Sequence, residues 1–247
     1  MKRLIIVVIL VVGGAFLFFQ TQRTTVEKSD AVDTVSVAQP PVASTETPSE
    51  IFISSPANPF WQALLTEYKN YLHHSLEKNQ APGVAVAVVK DSSILYLDGM
   101  GHRYALSGDS IDTHSIFRLG SVSKSFAGVL TGILVQENIL RWDDKVIKYV
   151  PSFRLKSKAF TDSLTIAHLL SHTTGLPYHA YTDRVDDGAN FDTLVYHLRD
   201  LDLIGPPGKV YSYQNVAFSV ISKVIESATG KSYEQVMKEK LFDPLHM

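Results

Sequence analysis

The chain has 247 residues, a formal net charge of −2 and no cysteine. The near-neutral charge excludes the broad basic footprint of a nucleic-acid binder, and the missing thiols exclude disulfides, thiolate catalysis and cysteine metal sites. A chain of this length is enough for one sizeable domain or two small ones, and it can bury a real core.

The N-terminus reads "MKRLIIVVILVVGGAFLFFQ". Lys2 and Arg3 precede an uncharged apolar run from Leu4 to Phe19. That run is long for a signal-peptide core and short for a full span, which needs about 20 residues. Gly13-Gly14-Ala15 and Ser36-Val37-Ala38 are poor cleavage sites: apolar residues follow the first, and the second lies too far downstream. Residues 1–20 are therefore read as an anchor, with 4–19 in the membrane and Lys2 and Arg3 inside. The alternative is a cleaved signal peptide and a secreted protein. Either way the remainder is exported. Residues 21–57 are rich in Thr, Ser, Val, Pro and Glu. They cannot bury enough apolar surface to order themselves and are read as a tether. The folded domain is expected over 58–247.

Trp61, Leu64, Leu65, Tyr68, Leu72 and Leu76 recur at helical spacing and predict an amphipathic helix over about 60–79. "PGVAVAVVK" (82–90) and "ILYLDGM" (94–100) predict a hairpin across the turn at Asp91-Ser92-Ser93. Helical patterns follow from Ser121 to about Asn138, and over 164–171, 191–200, 215–229 and 231–241. Gly230 fits the C-cap of the fourth, and "GPPGK" (205–209) is a hard turn. Strands first and helices after give an α+β order.

Two short strings carry candidate chemistry. In "FRLGSVSKSF" (117–126), Ser121 and Lys124 are three apart. On a helix they lie about 60° apart, one turn along. Gly120 allows a sharp entry, so Ser121 starts the helix, where free N–H groups stabilise developing negative charge. Ser123 and Ser125 adjoin the lysine but point elsewhere. If the string is a site, Ser121 is its nucleophile and Lys124 its partner. The second string is Tyr213-Gln214-Asn215, after the Pro206-Pro207-Gly208 turn and before a helix. A tyrosine beside an ammonium can act as a general base. An asparagine two residues on can hydrogen-bond an amide, or simply cap the helix. Both strings have copies in the first helix, Ser75-Leu76-Glu77-Lys78 and Tyr68-Lys69-Asn70, which read as solvated helix surface.

Three other patterns are set aside. His168 and His172 are four apart, but no Glu follows His168 and no third ligand is visible. "ATGKS" (228–232) lacks the leading glycine of a phosphate loop, because that position is Ile225. Asp143-Asp144 reads as a turn after Trp142.

"FRLGSVSKSFAGVL", "HLLSHTTGLP", "YSYQN" and "VISKVIESATGKSYEQVMKEKLFDPLHM" stand in this order. Together they closely resemble the class C β-lactamase and DD-peptidase family of penicillin-recognising serine hydrolases, from about residue 60 to the end. The resemblance implies a β-lactamase/transpeptidase-like fold, an antiparallel sheet flanked by helices with an inserted helical domain. It implies acylation of Ser121 by a β-lactam or D-alanyl peptide, with a related ester as a further substrate class. Lys124 and Tyr213 would transfer protons, Asn215 would hold the substrate amide, and the Ser121 N–H would form half the oxyanion hole. It implies no cofactor and no metal, and a site on the periplasmic side of the inner membrane.

The family carries a third motif, Lys-Thr-Gly or His-x-Gly, on a strand beyond the segment matched by "LFDPLHM". This sequence ends at Met247 without it. The expectation is a C-terminally truncated enzyme lacking the second oxyanion donor, a loss that typically costs roughly 3–4 kcal/mol of transition-state stabilisation. Two alternatives stay open at this stage: a membrane-tethered, non-catalytic binder of β-lactam or peptidoglycan, and an inactive fragment.

Overall fold

The computed structural model describes residues 7–12, 58–79, 81–91, 93–104 and 108–247. Two compact units divide at Leu119/Gly120.

The first unit holds the sheet. Helix α1 spans Pro59–Asn79, strand β2 Gly83–Lys90 and strand β3 Ser93–Gly101. The hairpin forms where the alternating Val-Ala pattern predicted it, with Gly83 opposite Gly101 and Lys90 opposite Ser93. Asp91 takes a left-handed backbone at the turn, with φ of 54°. Valines 84, 86 and 88 are buried, while Ala85 and Ala87 alternate with them on the other face. Leu72 of α1 meets Val84, Val86 and Met100, flanked by Tyr68, Leu76 and Tyr96. Thus the helical spacing in α1 and the period-two spacing in β2 converge on one small core. The copied strings at 68–70 and 75–78 lie in α1, where Lys69 pairs with Asp98 at 3.3 Å.

Strand β1, Val7–Val12, pairs antiparallel with β2, giving the order β1-β2-β3. It lies inside the run read as an anchor or signal peptide. The rest of that run, and the 21–57 tether, lie outside the described residues. No helix among the described residues is long and apolar enough to cross a membrane.

The second unit is helical among its described residues. Helix α2 spans Ser123–Gln136, α3 Val146–Tyr149, α4 Lys158–Ser163, α5 Ile166–Leu170, α6 Thr182–Asp186, α7 Phe191–His197, α8 Asn215–Thr229 and α9 Tyr233–Met237. Its core joins Leu130 and Leu134 of α2, Ile166 and Leu169 of α5, Val220, Val224 and Ile225 of α8, and Phe153 between α3 and α4. Helix α8 is the hub. Seven of its fifteen residues are buried, and it packs on α3, α5, α7 and α9. Full burial of each large apolar side chain stabilises by about 1.5–3 kcal/mol.

Helix ends differ from the sequence reading for local reasons. The segment predicted to turn helical at Ser121 enters as one 3₁₀ turn, Gly120–Val122, with Gly120 at φ 52°. Helix α2 proper begins at Ser123. The 164–171 helix contracts to α5 because Thr165 caps it: its hydroxyl accepts the His168 N–H, and His168 Nδ1 accepts the Thr165 N–H. The 191–200 helix tightens to 3₁₀ over Leu198–Asp200. The 231–241 helix starts two residues late, capped by Ser232, and widens to a π turn over Lys238–Phe242. Gly230 is left-handed at φ 69°, and its N–H closes α8 on Glu226 O at 2.8 Å, as a C-cap glycine does.

Candidate active site

Four residues singled out in the sequence meet in the second unit. Ser121 comes from the 3₁₀ turn, Lys124 from the first turn of α2, Tyr213 from the segment before α8, and Asn215 from the first residue of α8. Ser121 Oγ lies 2.7 Å from the Tyr213 hydroxyl. Lys124 Nζ donates to Ser121 Oγ at 3.2 Å and to Asn215 Oδ1 at 2.8 Å. It also stands 4.8 Å from the centroid of the Tyr213 ring. The two strings, some ninety positions apart, therefore share one lysine. Ser121, not Ser123 or Ser125, is the serine that both Lys124 and Tyr213 reach.

The local fold explains this convergence. Three-residue spacing puts Ser121 and Lys124 on one side of the helix entry. Because Ser121 sits in the opening turn, its N–H is among the donors that have no intrahelical acceptor. Asn215 is not the cap of α8, the bland role open to it from sequence. Gln214 takes that place, with Oε1 accepting the Val216 N–H at 3.2 Å, and this frees the Asn215 amide for Lys124.

The electrostatics favour a reactive phenol. Partial burial pushes the Tyr213 hydroxyl up. Hydrogen bonding to Lys124 and Ser121, and the lysine charge, outweigh that and leave it below its ordinary value of 10.0. Ser121 is exposed, so its hydroxyl is open to a substrate. Beside Lys124 lies a cavity of about 410 Å³, lined in part by Ser123, Ala127, Phe191, Phe218 and Tyr233.

The two histidines set aside as metal ligands have other work. His168 completes the α5 capping box. His172 Nδ1 accepts the Gln214 N–H at 3.2 Å, and its ring lies 4.4 Å from that of Tyr213. Asp144 behaves as a turn residue, accepting from the Arg141 N–H, Lys148 and Tyr149. Sequence reasoning missed Gln214, His172 and His179 as neighbours of the site. The signal available for His172 was its place in "HLLSHTTGLP", but spacing alone suggested only the wrong chemistry.

A serine hydroxyl is thus held by a lysine and a depressed tyrosine, with an asparagine amide alongside, an arrangement in which a neighbouring group can activate the hydroxyl as a nucleophile. Comparison with known proteins gives the family. The family model described as Beta-lactamase matches residues 68–247. Penicillin-binding protein 4 of Amycolatopsis lactamdurans is 31% identical over 172 residues, covering 68% of this chain and 44% of that protein. The unguisins hydrolase of Aspergillus violaceofuscus is 29% identical over 189 residues, covering 73% of this chain and 33% of that protein. The octameric penicillin-binding protein homologue from Pyrococcus abyssi superposes with a TM-score of 0.67 at 27% identity, over 74% of this chain and 43% of that one.

The chain belongs to the Beta-lactamase family of serine hydrolases and has the α+β, β-lactamase/transpeptidase-like fold. It spans less than half the length of each of these three relatives.

Proposed function

We propose that this protein is a serine acyl-transfer enzyme that forms an acyl-enzyme at Ser121. The observation that carries the reading is the single cluster of Ser121, Lys124, Tyr213 and Asn215 closed by contacts of 2.7, 3.2 and 2.8 Å.

In this reaction Tyr213 takes the Ser121 proton as Oγ bonds to the substrate carbonyl carbon. Lys124 stabilises the phenolate form of Tyr213 and orients the serine. The Ser121 N–H donates to the oxyanion of the tetrahedral intermediate. Collapse of that intermediate breaks the C–N bond of a β-lactam or peptide, or the C–O bond of an ester. The leaving group takes the proton from Tyr213, and Asn215 holds the substrate amide. Water then attacks the ester carbonyl, returns a proton through the same pair and releases the acid. The substrate is a β-lactam, a D-alanyl peptide or a short ester, and the chemistry calls on no cofactor and no metal.

Hydrolysis of a chromogenic cephalosporin, a D-Ala-D-Ala peptide and a short-chain ester, each with wild type and Ser121→Ala, tests the proposal. Turnover of at least one, abolished in the variant, is expected. Equal rates in both proteins would overturn it. One acyl group bound per chain with no release would instead make it a binder.

We further propose that residues 4–19 tether the protein to the inner membrane with the site on the periplasmic side. The apolar run behind Lys2 and Arg3 supports this. A bilayer location and the pairing of β1 with β2 are exclusive for Val7–Val12. Alkaline extraction of membranes decides between them: retention in the pellet fits the tether, and full release contradicts it.

A further inference from the structure

Two histidines that the reaction above does not use flank its proposed base. His172 follows α5 and is 8% exposed. It bonds the 212–214 segment twice: its carbonyl accepts the Ser212 N–H at 2.8 Å, and its Nδ1 accepts the Gln214 N–H at 3.2 Å. Its ring lies 4.4 Å from Tyr213 at 32° and stacks on Phe218 at 5.1 Å and 29°. His179 acts from the same loop. Its N–H donates to the Tyr213 carbonyl at 2.9 Å, and its ring stacks on Tyr213 at 5.2 Å and 30°. Both histidines have left-handed backbones, at φ 57° and 55°. That region is uncommon for such residues, so tertiary contacts hold them there.

From this arrangement we propose that His172 is a positioning residue for Tyr213, its ring packing the phenol into line with Ser121 and Lys124 while its carbonyl and its Nδ1 fix the backbone on either side. The inference rests on the acyl-enzyme reading, in which Tyr213 is the base. The chemistry requires a neutral imidazole, since Nδ1 must accept a hydrogen bond and an imidazolium has no acceptor. Burial and the nearby Lys124 charge both push His172 below its ordinary value, which is consistent with that form. Near it, the groups that titrate or carry charge are Lys124, Tyr213 and Tyr211. A residue with no ring would leave one face of Tyr213 unpacked, with only His179 stacked on it, and misplacing a catalytic group by about 1 Å can cost 10²-fold.

The test separates the ring from the acceptor. Asparagine tolerates the left-handed backbone, and its Oδ1 can still accept the Gln214 N–H, so His172→Asn removes the ring alone. Phenylalanine in the same place keeps a ring and loses the acceptor. The 247-residue chain is labelled with [¹³Cζ]tyrosine, and the Tyr213 resonance is assigned through Tyr213→Phe. Its titration is followed alongside acylation by a reactive penicillin. In His172→Asn we expect the Tyr213 titration to move to higher pH and the acylation rate constant to fall roughly tenfold or more, with the noncovalent dissociation constant unchanged. We expect His172→Phe to keep the titration near the wild-type position.

An unmoved Tyr213 titration in His172→Asn would overturn the inference whether or not penicillin reacts. So would a wild-type acylation rate in that variant. Failure of the wild type to acylate, with the titration still shifted as expected, would instead overturn the acyl-enzyme reading and leave His172 as the residue that places Tyr213.

Discussion

At the scale of the residue, the proposed reaction makes the pair Lys124 and Tyr213 control when Ser121 can react. The Tyr213 phenol lies below 10.0 because of Lys124 and Ser121, against the effect of its own burial. In the proposed mechanism the base form is the phenolate, so acylation rises with pH through that lowered value. Removing the lysine removes the charge and the hydrogen bond that hold it down. Lys124→Met is therefore expected to shift the acid limb of the pH–rate profile to higher pH, and an unshifted limb in the residual activity would contradict that coupling. Tyr213→Phe deletes the proton acceptor outright. It is expected to lower the acylation rate by about 10²–10⁴-fold, the usual worth of a general base. Stopped-flow acylation at fixed pH reads this directly, and a loss below tenfold would assign the base to Lys124.

At the scale of the element, the site depends on how a loop meets the start of a helix. Gln214 is fully buried and joins the two: its Nε2 donates to the Pro177 carbonyl at 3.1 Å and its Oε1 caps α8. Gln214→Ala leaves both partners without that side chain, and the buried Val216 N–H alone costs about 1–3 kcal/mol when unpaired. Chemical denaturation should show a loss in that range, and a loss under about 0.5 kcal/mol would mean the loop is held by other contacts.

Gly175, in the same loop, sits at φ 87°, and a Cβ there would lie 2.2 Å from the Gly205 carbonyl oxygen. Gly175→Ala is expected to cost more than the about 1–2 kcal/mol of a left-handed alanine alone.

These elements also show what a sequence reveals. The hairpin and α8 were legible because each carries a long, unbroken hydrophobic period, and 215–229 matched to the residue. Ser121 and Lys124 were legible from their helical spacing, and Tyr213 and Asn215 from a short string between a hard turn and a helix. Their mutual distances were not, since residues 121 and 213 meet only through the packing of α2, α5 and α8. Gln214 drew no reading because a buried amide cap has no periodic signature. His172 is set aside with His168 as an unconvincing metal pair, and i,i+4 spacing gives no hint that its ring faces Tyr213. The short helices α3, α4 and α6 lack the length that makes periodicity visible.

At the scale of the whole molecule, stability of the second unit rests on one helical core. Leu130 is completely buried between α2 and its neighbours. Leu130→Ala is expected to destabilise by about 2–5 kcal/mol, the range for buried leucines.

The pH dependence has a defined sign. Burial, with nearby Lys145 or Lys124, holds His168 and His172 below 6.5 in the folded protein. The unfolded chain takes up those protons first. Their contribution to stability is thus complete above about pH 6.5 and is lost as pH falls from there through the folded values. Thermal midpoints should drop across that window before the surface carboxylates titrate, and a flat profile would contradict neutral burial of both rings.

Acylation of Ser121 is read from the intact mass of the chain after exposure to a reactive penicillin. A mass increase equal to one drug molecule, abolished in Ser121→Ala, is expected. No adduct on the wild type, or an equal adduct on the variant, would contradict it.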